Sequence, residues 1–337
     1  MKFENLHKEI RIGSLALNNR LVMPPMATEK TDNGEVTQGL IDYYNEKTRG
    51  GYLGLVIQEH SYISIEGKAS PNQVSIATDD TVANLRKITD VIHANGSKVF
   101  AQLAHAGSAA KMEITGCEPV SASGVVNPCD VAKRMGATKI PHELTKEEIK
   151  VIVNKFADAA MRAKKAGYDG IEIHSAHGYL LNQFYSPLTN KRTDEYTGTT
   201  LEGRTRIHAE IIAEVRKRVG NDFPVSLRWG ASDYMEGGSD KSEIVEAARI
   251  FEKAGVDMLS ISGGMCDYRR PDSTEPGWFS ELSEEVKKAV NIPVLLVGGI
   301  TDGETAEKLL SEEKADMIGI ARALLRDSDL PGKIMEQ

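Results

Sequence analysis

Short apolar runs rich in Val, Ile and Leu alternate with longer amphipathic stretches along the 337 residues. The runs lack the apolar–polar alternation of a strand with one wet face, so they predict strands buried on both faces. There are eight, and each is followed by a helical pattern. In order they read RLVMPPM, LGLVIQE, KVFAQLAH, GIEIHSAH, PVSLRWGAS, MLSISGG, PVLLVGG and MIGIAR.

The helical patterns carry recognisable end signals. One opens as a capping box, with Thr145 as N-cap and Glu148 three residues later, and it closes with two lysines and Gly167. Eight strand–helix units in one series favour a closed (β/α)8 TIM barrel, of the α/β class, over a doubly wound sheet. We predict one domain over residues 1–337, with residues 10–19 forming a short hairpin that plugs the bottom of the barrel.

Three predicted strand-to-helix connections are longer than usual, at about 105–144, 178–200 and 264–279. All three follow strands, so they lie on the C-terminal face, where barrel active sites are built. The connection at 105–144 is a candidate lid or substrate wall.

Composition narrows the class of protein. The net charge is −8 and no basic patch dominates, which argues against a nucleic-acid partner. The three cysteines, Cys117, Cys129 and Cys266, form no CxxC pair, so a disulfide framework or zinc knuckle is not expected. No signal peptide and no membrane-spanning run are visible. We predict a cytoplasmic protein that acts on small molecules, and a homo-oligomer is compatible with the sequence.

One strand end concentrates side chains that handle protons. His174, His177 and Tyr179 fall within six residues where GIEIHSAH runs into a polar loop. This pattern predicts a site that binds an oxygen atom and delivers a proton. An HxxH pair can also chelate a metal, but no His or Asp pattern at other strand ends completes a shell. A metal-dependent hydrolase or lyase is therefore the weaker alternative.

The last two strand–helix units carry a phosphate signal. Gly298 and Gly299 end one strand, and Ala321 and Arg322 are predicted at the start of the last helix. Backbone amides at these places in barrels often bind phosphate, and an arginine adds a charge-assisted partner. The alternative is a plain Gly-Gly turn and a surface arginine.

Two further strand ends carry polar groups directed at the barrel mouth. Gln102 follows an apolar run, and Arg228 lies within a strand, where an unpaired charge is costly. An amide and a guanidinium there suit a polar, partly anionic ring. The alternatives are a satisfied core amide for Gln102, and for Arg228 an ion pair with a core carboxylate such as Glu172.

These motifs together resemble the old yellow enzyme family of FMN-dependent ene-reductases, the NADH:flavin oxidoreductases. The matching pieces span nearly the whole chain in the order of the family. They are NRLVMPPM, AQLAHAG, HSAHGYLLNQFYSPLTNKRTDEYTG, LRWGASDY, VGGIT and IARALLRD.

The resemblance implies a barrel that holds FMN noncovalently and takes hydride from NADH or NADPH to reduce the C=C bond of α,β-unsaturated carbonyl compounds. His174 and His177 would bind the carbonyl oxygen of the substrate, and Tyr179 would donate the proton. An NADH:flavin or NADH:oxygen reductase, which passes electrons to free flavin or O₂, is the close alternative. The implied FMN contacts are Pro24, Pro25, Met26, Ala27, Gln102 and Arg228 at the ring, with Gly298, Gly299, Ala321 and Arg322 at the phosphate.

The chain departs from the family pattern at several positions that are expected to lie near the flavin and the substrate. Ala27 stands where many short bacterial members place a flavin-tuning cysteine, and Thr28 and Glu29 replace an aromatic substrate contact. His60 stands where a small residue near the flavin is expected. We hypothesise that His60 adds a hydrogen-bond donor or a positive charge near the ring; the alternative is a loop histidine turned to solvent.

Several pieces look more like the barrel part of the longer dienoyl-CoA and enoate reductases. Those relatives carry a cysteine cluster for an iron–sulfur centre beyond the barrel, followed by a second flavin domain. This sequence reaches Gln337 without such a cluster. If it is complete, electrons are expected to pass directly from NAD(P)H to FMN; if it is a fragment, that expectation fails.

Overall fold

The computed structural model describes residues 2–134 and 136–337, and the apolar runs of the sequence form short strands. In this part of the chain the strands are β1 (Ile10–Ile12), β2 (Leu15–Leu17), β3 (Leu21–Met23), β4 (Leu55–Tyr62), β5 (Val74–Ser75), β6 (Lys98–Ala104), β7 (Val120–Ser121), β8 (His142–Glu143), β9 (Gly170–Ser175), β10 (Val225–Ser232), β11 (Met258–Gly263), β12 (Val294–Val297) and β13 (Met317–Gly319). Strands β3, β4, β6 and β9 to β13 pair in parallel, and β13 pairs with β3 to close the ring. This ring of eight strands confirms the predicted (β/α)8 barrel.

Helices follow the barrel strands and cover the outside of the ring. In the described residues they are α1 (Gln38–Thr48), α2 (Thr81–Ala94), α3 (Met112–Thr115), α4 (Asp130–Arg134), α5 (Lys146–Ala166), α6 (Leu180–Tyr185), α7 (Leu201–Val219), α8 (Ile244–Ala254), α9 (Ser280–Ala289), α10 (Gly303–Ser311), α11 (Arg322–Arg326) and α12 (Leu330–Met335). The capping box of α5 is confirmed: the Glu148 N–H donates to Thr145 Oγ1 at 3.2 Å, and the Thr145 N–H donates to Glu148 Oε2 at 2.7 Å. None of the helices among the described residues is both long and apolar enough to cross a membrane.

The helix after β13 differs from the prediction in one respect. Arg322 begins α11, with Ala321 as its N-cap, but α11 is not the last helix of the chain. Asp327 adopts an extended conformation, with φ −141° and ψ 99°, and this ends α11 after five residues. The chain then starts α12 at Leu330.

The predicted hairpin at the bottom of the barrel is confirmed. Strands β1 and β2 pair antiparallel. Their buried side chains Ile12 and Leu17 pack in one apolar cluster with Val22, Leu55 and Met317, which lie near the first residues of barrel strands. The apolar interior therefore fills the N-terminal half of the barrel and leaves the C-terminal half for polar groups.

Strand register places the predicted polar residues in two successive rows of the barrel. Gln102 on β6 pairs with Glu172 on β9, and His174 on β9 pairs with Arg228 on β10. Arg228 in turn pairs with Ser260 on β11. Because the two rows are only two residues apart along β9, positions far apart in sequence meet toward the C-terminal mouth.

Candidate active site

A cavity of about 660 Å³ opens at the C-terminal face of the barrel. Its walls contain every residue that the sequence predicted for the site. These are Pro24, Pro25, Met26, Ala27, His60, Gln102, His174, His177, Tyr179, Arg228, Gly298, Gly299, Ala321 and Arg322. Their roles toward a ligand stay predictions at this point.

One end of the cavity holds the three proton-handling side chains, which we call the donor end. His174 is buried near the end of β9, and the chain then turns through His177, whose φ of 56° is left-handed. The turn sets Tyr179 at the N-cap of α6. The ring centroid of His174 lies 5.3 Å from that of His177 and 5.0 Å from that of Tyr179, and both pairs meet edge to face. The three rings thus meet around one point in the cavity.

Burial keeps the donor end neutral. It lowers the pKa of His174 well below its usual value, and the nearby His177 and Arg228 lower it further. Burial, with Arg228 next, lowers the pKa of His177 in the same way. Burial also raises the pKa of the Tyr179 phenol. At neutral pH the site therefore offers neutral imidazoles and a protonated phenol, all able to donate a hydrogen bond.

The guanidinium of Arg228 forms no direct ion pair with Glu172. It donates from Nη1 to Ser260 Oγ at 3.4 Å and from Nη2 to Ser262 Oγ at 3.3 Å. The Glu172 carboxylate instead accepts from Gln102 Nε2 at 2.8 Å. Arg228 Nε is buried without a hydrogen-bond partner among the described residues. Since a buried N–H group needs an acceptor, the unpartnered Nε suits a ligand with an anionic or carbonyl edge.

Another part of the cavity lining, which we call the phosphate end, combines the glycine turn at Gly298 and Gly299 with Arg322. Gly299 has φ 69°, and a Cβ at this position would lie 2.8 Å from the ring of Trp278, so a side chain does not fit. The guanidinium of Arg322 stacks over Trp278, with 4.9 Å to the ring centroid, and faces Tyr268 at 5.9 Å. In the part of the chain described, the backbone N–H groups of Gly299 and Ala321 donate to no backbone carbonyl. Free amides beside a guanidinium suit a phosphate.

The charges around Arg322 are mostly of the same sign. Burial lowers its pKa first, and Arg269 and Arg326 lower it further, while Tyr268 opposes them. Like charges held together near a cavity favour an anion between them. The fit to a phosphate therefore rests on both geometry and electrostatics.

The wall in which the sequence departs from the family pattern is partly outside the cavity. Ala27 and His60 line the cavity. Glu29 does not belong to the lining; its carboxylate accepts from the Asn72 N–H at 3.2 Å and from the Ser70 hydroxyl. The Thr28 N–H and hydroxyl donate to Glu59 at 2.9 and 2.8 Å. The side chains of Thr28 and Glu29 thus form hydrogen bonds within the protein.

Sequence reasoning missed several lining residues. Ser262 Oγ lies 2.8 Å from His177 Nε2 and accepts from Arg228, so it links the donor end to the Arg228 guanidinium. Its signal was the pair of serines in the buried strand MLSISGG, two residues apart on one face. Tyr268 and Trp278 lie in the long connection at 264–279. That segment has no hydrophobic periodicity from which the direction of a side chain could be predicted.

The connection at 105–144 contributes Arg134 to the wall. Arg134 pairs with Asp267 at 2.7 Å across the cavity rim. The connection therefore takes part in the wall, while its role as a lid stays a prediction. Among the described residues, no group of three or more His, Cys, Asp or Glu is arranged to hold a metal ion.

Comparisons with known proteins identify the family that this chain resembles over nearly its whole length. The family model described as the NADH:flavin oxidoreductase / NADH oxidase family matches residues 5–337. An NADH oxidase of Thermoanaerobacter brockii is 43% identical over 341 residues, covering 99% of this chain and 51% of its own length. Members of the family use FMN with NADH or NADPH as hydride donor.

Two solved structures share the fold. A 2-naphthoyl-CoA reductase in complex with 2-naphthoyl-CoA has a TM-score of 0.89 and 30% identity, covering 99% of this chain and 52% of that one. An old yellow enzyme homologue from Zymomonas mobilis has a TM-score of 0.83 and 27% identity, covering 98% of this chain and 92% of that one. The chain thus spans about half the length of the NADH oxidase and of the naphthoyl-CoA reductase.

Proposed function

The chain belongs to the NADH:flavin oxidoreductase / NADH oxidase family, and on that premise we propose that it reduces the activated C=C bond of α,β-unsaturated carbonyl compounds with hydride from NADH or NADPH. One observation carries the proposal. Neutral hydrogen-bond donors and a glycine turn beside Arg322 line the same cavity of about 660 Å³, the volume class of cofactor sites.

We assign the binding of FMN to residues on three sides of the cavity. Arg228, with its unpartnered Nε, and Gln102 would hold the polar edge of the ring. The turn at Gly298 and Gly299, with Ala321 and Arg322, would hold the phosphate. Pro24, Pro25, Met26 and Ala27 would pack against the ring. The chemistry that FMN supplies when bound is a two-electron relay from the nicotinamide to the acceptor.

The donor end would bind the carbonyl group of the substrate. Hydride addition to the β-carbon places negative charge on the carbonyl oxygen, and His174 and His177 stabilise that charge as neutral donors already in place. Burial makes imidazolium unfavourable at both positions, so the oxygen receives hydrogen bonds without a full proton.

Tyr179 would complete the reaction by donating its phenolic proton to the α-carbon. The alkene then gains one hydride and one proton, NAD(P)H becomes NAD(P)⁺, and the phenolate regains its proton from solvent. Burial raises the pKa of Tyr179 and keeps it protonated across the neutral range. An enolate carbon is a stronger base than a phenolate, so the transfer remains favourable despite that raised pKa.

A second candidate is an NADH:flavin or NADH:oxygen reductase. It is favoured by the 43% identity to a protein named NADH oxidase. In that case the electrons are transferred to free flavin or O₂, and the reaction requires no proton transfer from Tyr179 to a carbon atom.

Steady-state turnover with a panel of acceptors separates the two candidates. The holoenzyme is supplied with NADH or NADPH and with cyclic enones, free FMN or O₂ in separate reactions. We expect enone reduction to exceed turnover with free FMN and O₂. Rapid reduction of free FMN with no turnover of any enone would reject ene-reduction in favour of the second candidate.

A further inference from the structure

His60 sits at an irregularity of strand β4. In the pairing of β4 with β6, Gln58 lies opposite Ala101 and Ser61 lies opposite Leu103, so β4 has one extra residue between them. Such a bulge bends the strand and re-aims the side chains within it. His60 lines the cavity and does not turn to solvent as a loop histidine would.

The side chain of Gln73 determines which nitrogen of His60 carries the proton. Gln73 Oε1 accepts from the Ala69 N–H at 2.6 Å. A backbone N–H can only donate, so the amide oxygen must face Ala69 and the amide NH₂ must face His60. Gln73 Nε2 lies 2.6 Å from His60 Nδ1 and also donates to the His60 carbonyl at 3.3 Å. Nδ1 is therefore an acceptor, and a neutral ring carries its proton on Nε2.

The surroundings of His60 keep this ring neutral. Burial lowers its pKa to about 4, and only the charge of Glu29 acts in the opposite direction. Its ring meets Tyr179 edge to face, with centroids 5.8 Å apart. The positive charge suggested from the sequence is therefore not favoured, while the hydrogen-bond donor is.

Gln73 is buried and does not belong to the cavity lining. Because it engages Nδ1, it leaves Nε2 as the polar atom of the ring that is available to the cavity. We propose that His60, oriented by Gln73, is an additional neutral hydrogen-bond donor of this site, through Nε2–H, for a carbonyl oxygen of bound FMN or of the substrate. This inference rests on the proposed function, and Gln73 acts in it as a positioning residue.

The first test reads the tautomer directly and needs no activity. Long-range ¹H–¹⁵N spectra of the holoenzyme at pH 7, assigned by loss of the signal in His60→Leu, should show His60 protonated at Nε2 alone. In Gln73→Glu the carboxylate accepts from both the Ala69 N–H and Nδ1, so we expect the proton at Nδ1 or on both nitrogens. Protonation at Nδ1 alone in the unmodified protein would overturn the proposal.

The second test locates the acceptor. FMN affinity and the affinity of the oxidised holoenzyme for 2-cyclohexenone are measured in His60→Leu and in His60→Gln, which keeps an N–H donor. Removing one buried hydrogen bond should weaken one of the two affinities about tenfold, with partial recovery in His60→Gln. Weaker FMN binding assigns the bond to the cofactor; weaker enone binding with unchanged FMN affinity assigns it to the substrate.

Unchanged affinity for both ligands in His60→Leu would overturn the inference. That result is distinct from failure of the proposed function, which would appear as absent FMN binding or absent enone reduction in the unmodified enzyme. A protein that binds FMN and reduces enones equally well with and without His60 would keep its function and lose only this donor.

Discussion

The donor end and the phosphate end of one cavity treat charge in opposite ways. At the donor end, and at His60 beside Tyr179, burial lowers the histidine pKa values and leaves neutral rings at His60, His174 and His177. At the phosphate end, Arg322 stacks on aromatic rings and has other arginines near it. Aromatic faces attract a cation without neutralising it, so charge is retained where an anion is expected.

This difference separates binding from proton handling. A neutral donor stabilises charge that develops during a reaction, whereas a permanent cation holds a group that is charged throughout. Mutations at the donor end should therefore change the rate of the reaction, and mutations at the phosphate end should change the affinity for FMN.

The largest effect is expected at Tyr179. Tyr179→Phe should slow reoxidation of the reduced enzyme by an enone roughly 10² to 10⁴-fold, because the positioned acid is lost. Reduction by NADH should stay within about twofold, since that step requires no proton from the phenol. Anaerobic stopped-flow measures both half-reactions, and an equal loss in both would contradict the role of proton donor.

Arg322→Ala should affect the other end. Loss of a charge-assisted partner should weaken FMN binding by roughly 10- to 100-fold. Riboflavin lacks the phosphate and provides the matched control, because its affinity should be unchanged. Fluorescence titration of the apoprotein gives both constants. Equal weakening for FMN and riboflavin would show that Arg322 supports the fold instead of the phosphate.

Ser262→Ala should give a smaller effect at the donor end. Its hydroxyl lies 2.8 Å from His177 Nε2 and accepts from Arg228, so its loss should lower kcat/KM for enones about five- to tenfold. Ser260→Ala is the matched comparison, because Ser260 contacts Arg228 at 3.4 Å and makes no hydrogen bond to His177. If both variants lose equally, the contact to His177 is not the cause.

The smallest effect is expected from pH. The histidine pKa values are lowered and the Tyr179 pKa is raised, so each group keeps one protonation state through neutrality. Enone-driven reoxidation should stay level between about pH 6 and 9 and change only as acid converts the imidazoles to imidazolium. A step near pH 6.5, the usual histidine value, would show that these rings are more hydrated than the structure indicates.

Much of the barrel was predictable because its causes are local. The unbroken apolar runs, the capping box at Thr145 and the strand-end positions of His174 and Arg228 each depend on neighbouring residues. Closure of the barrel then follows from the number of units. The fold and the family are confirmed, whereas the single-domain reading, the cytoplasmic location and the oligomeric state stay predictions.

Other features depend on tertiary contacts that no pattern encodes. The position of Gln73 against His60 needs both the bulge in β4 and the short strand β5 that follows Gln73. Trp278 reaches Arg322 from a long connection without periodicity. The end of α11 depends on one extended residue, Asp327. The sequence predicts where the strands end, but tertiary packing determines which side chains meet at those ends.

The central claim is that this cavity binds FMN through its phosphate. Titration of the unmodified apoprotein with FMN and, separately, with riboflavin tests it. We predict one FMN per chain, and riboflavin at least about tenfold weaker because it forms none of the charge-assisted bonds at the phosphate end. Equal affinities for the two, or no binding of FMN, would contradict the account.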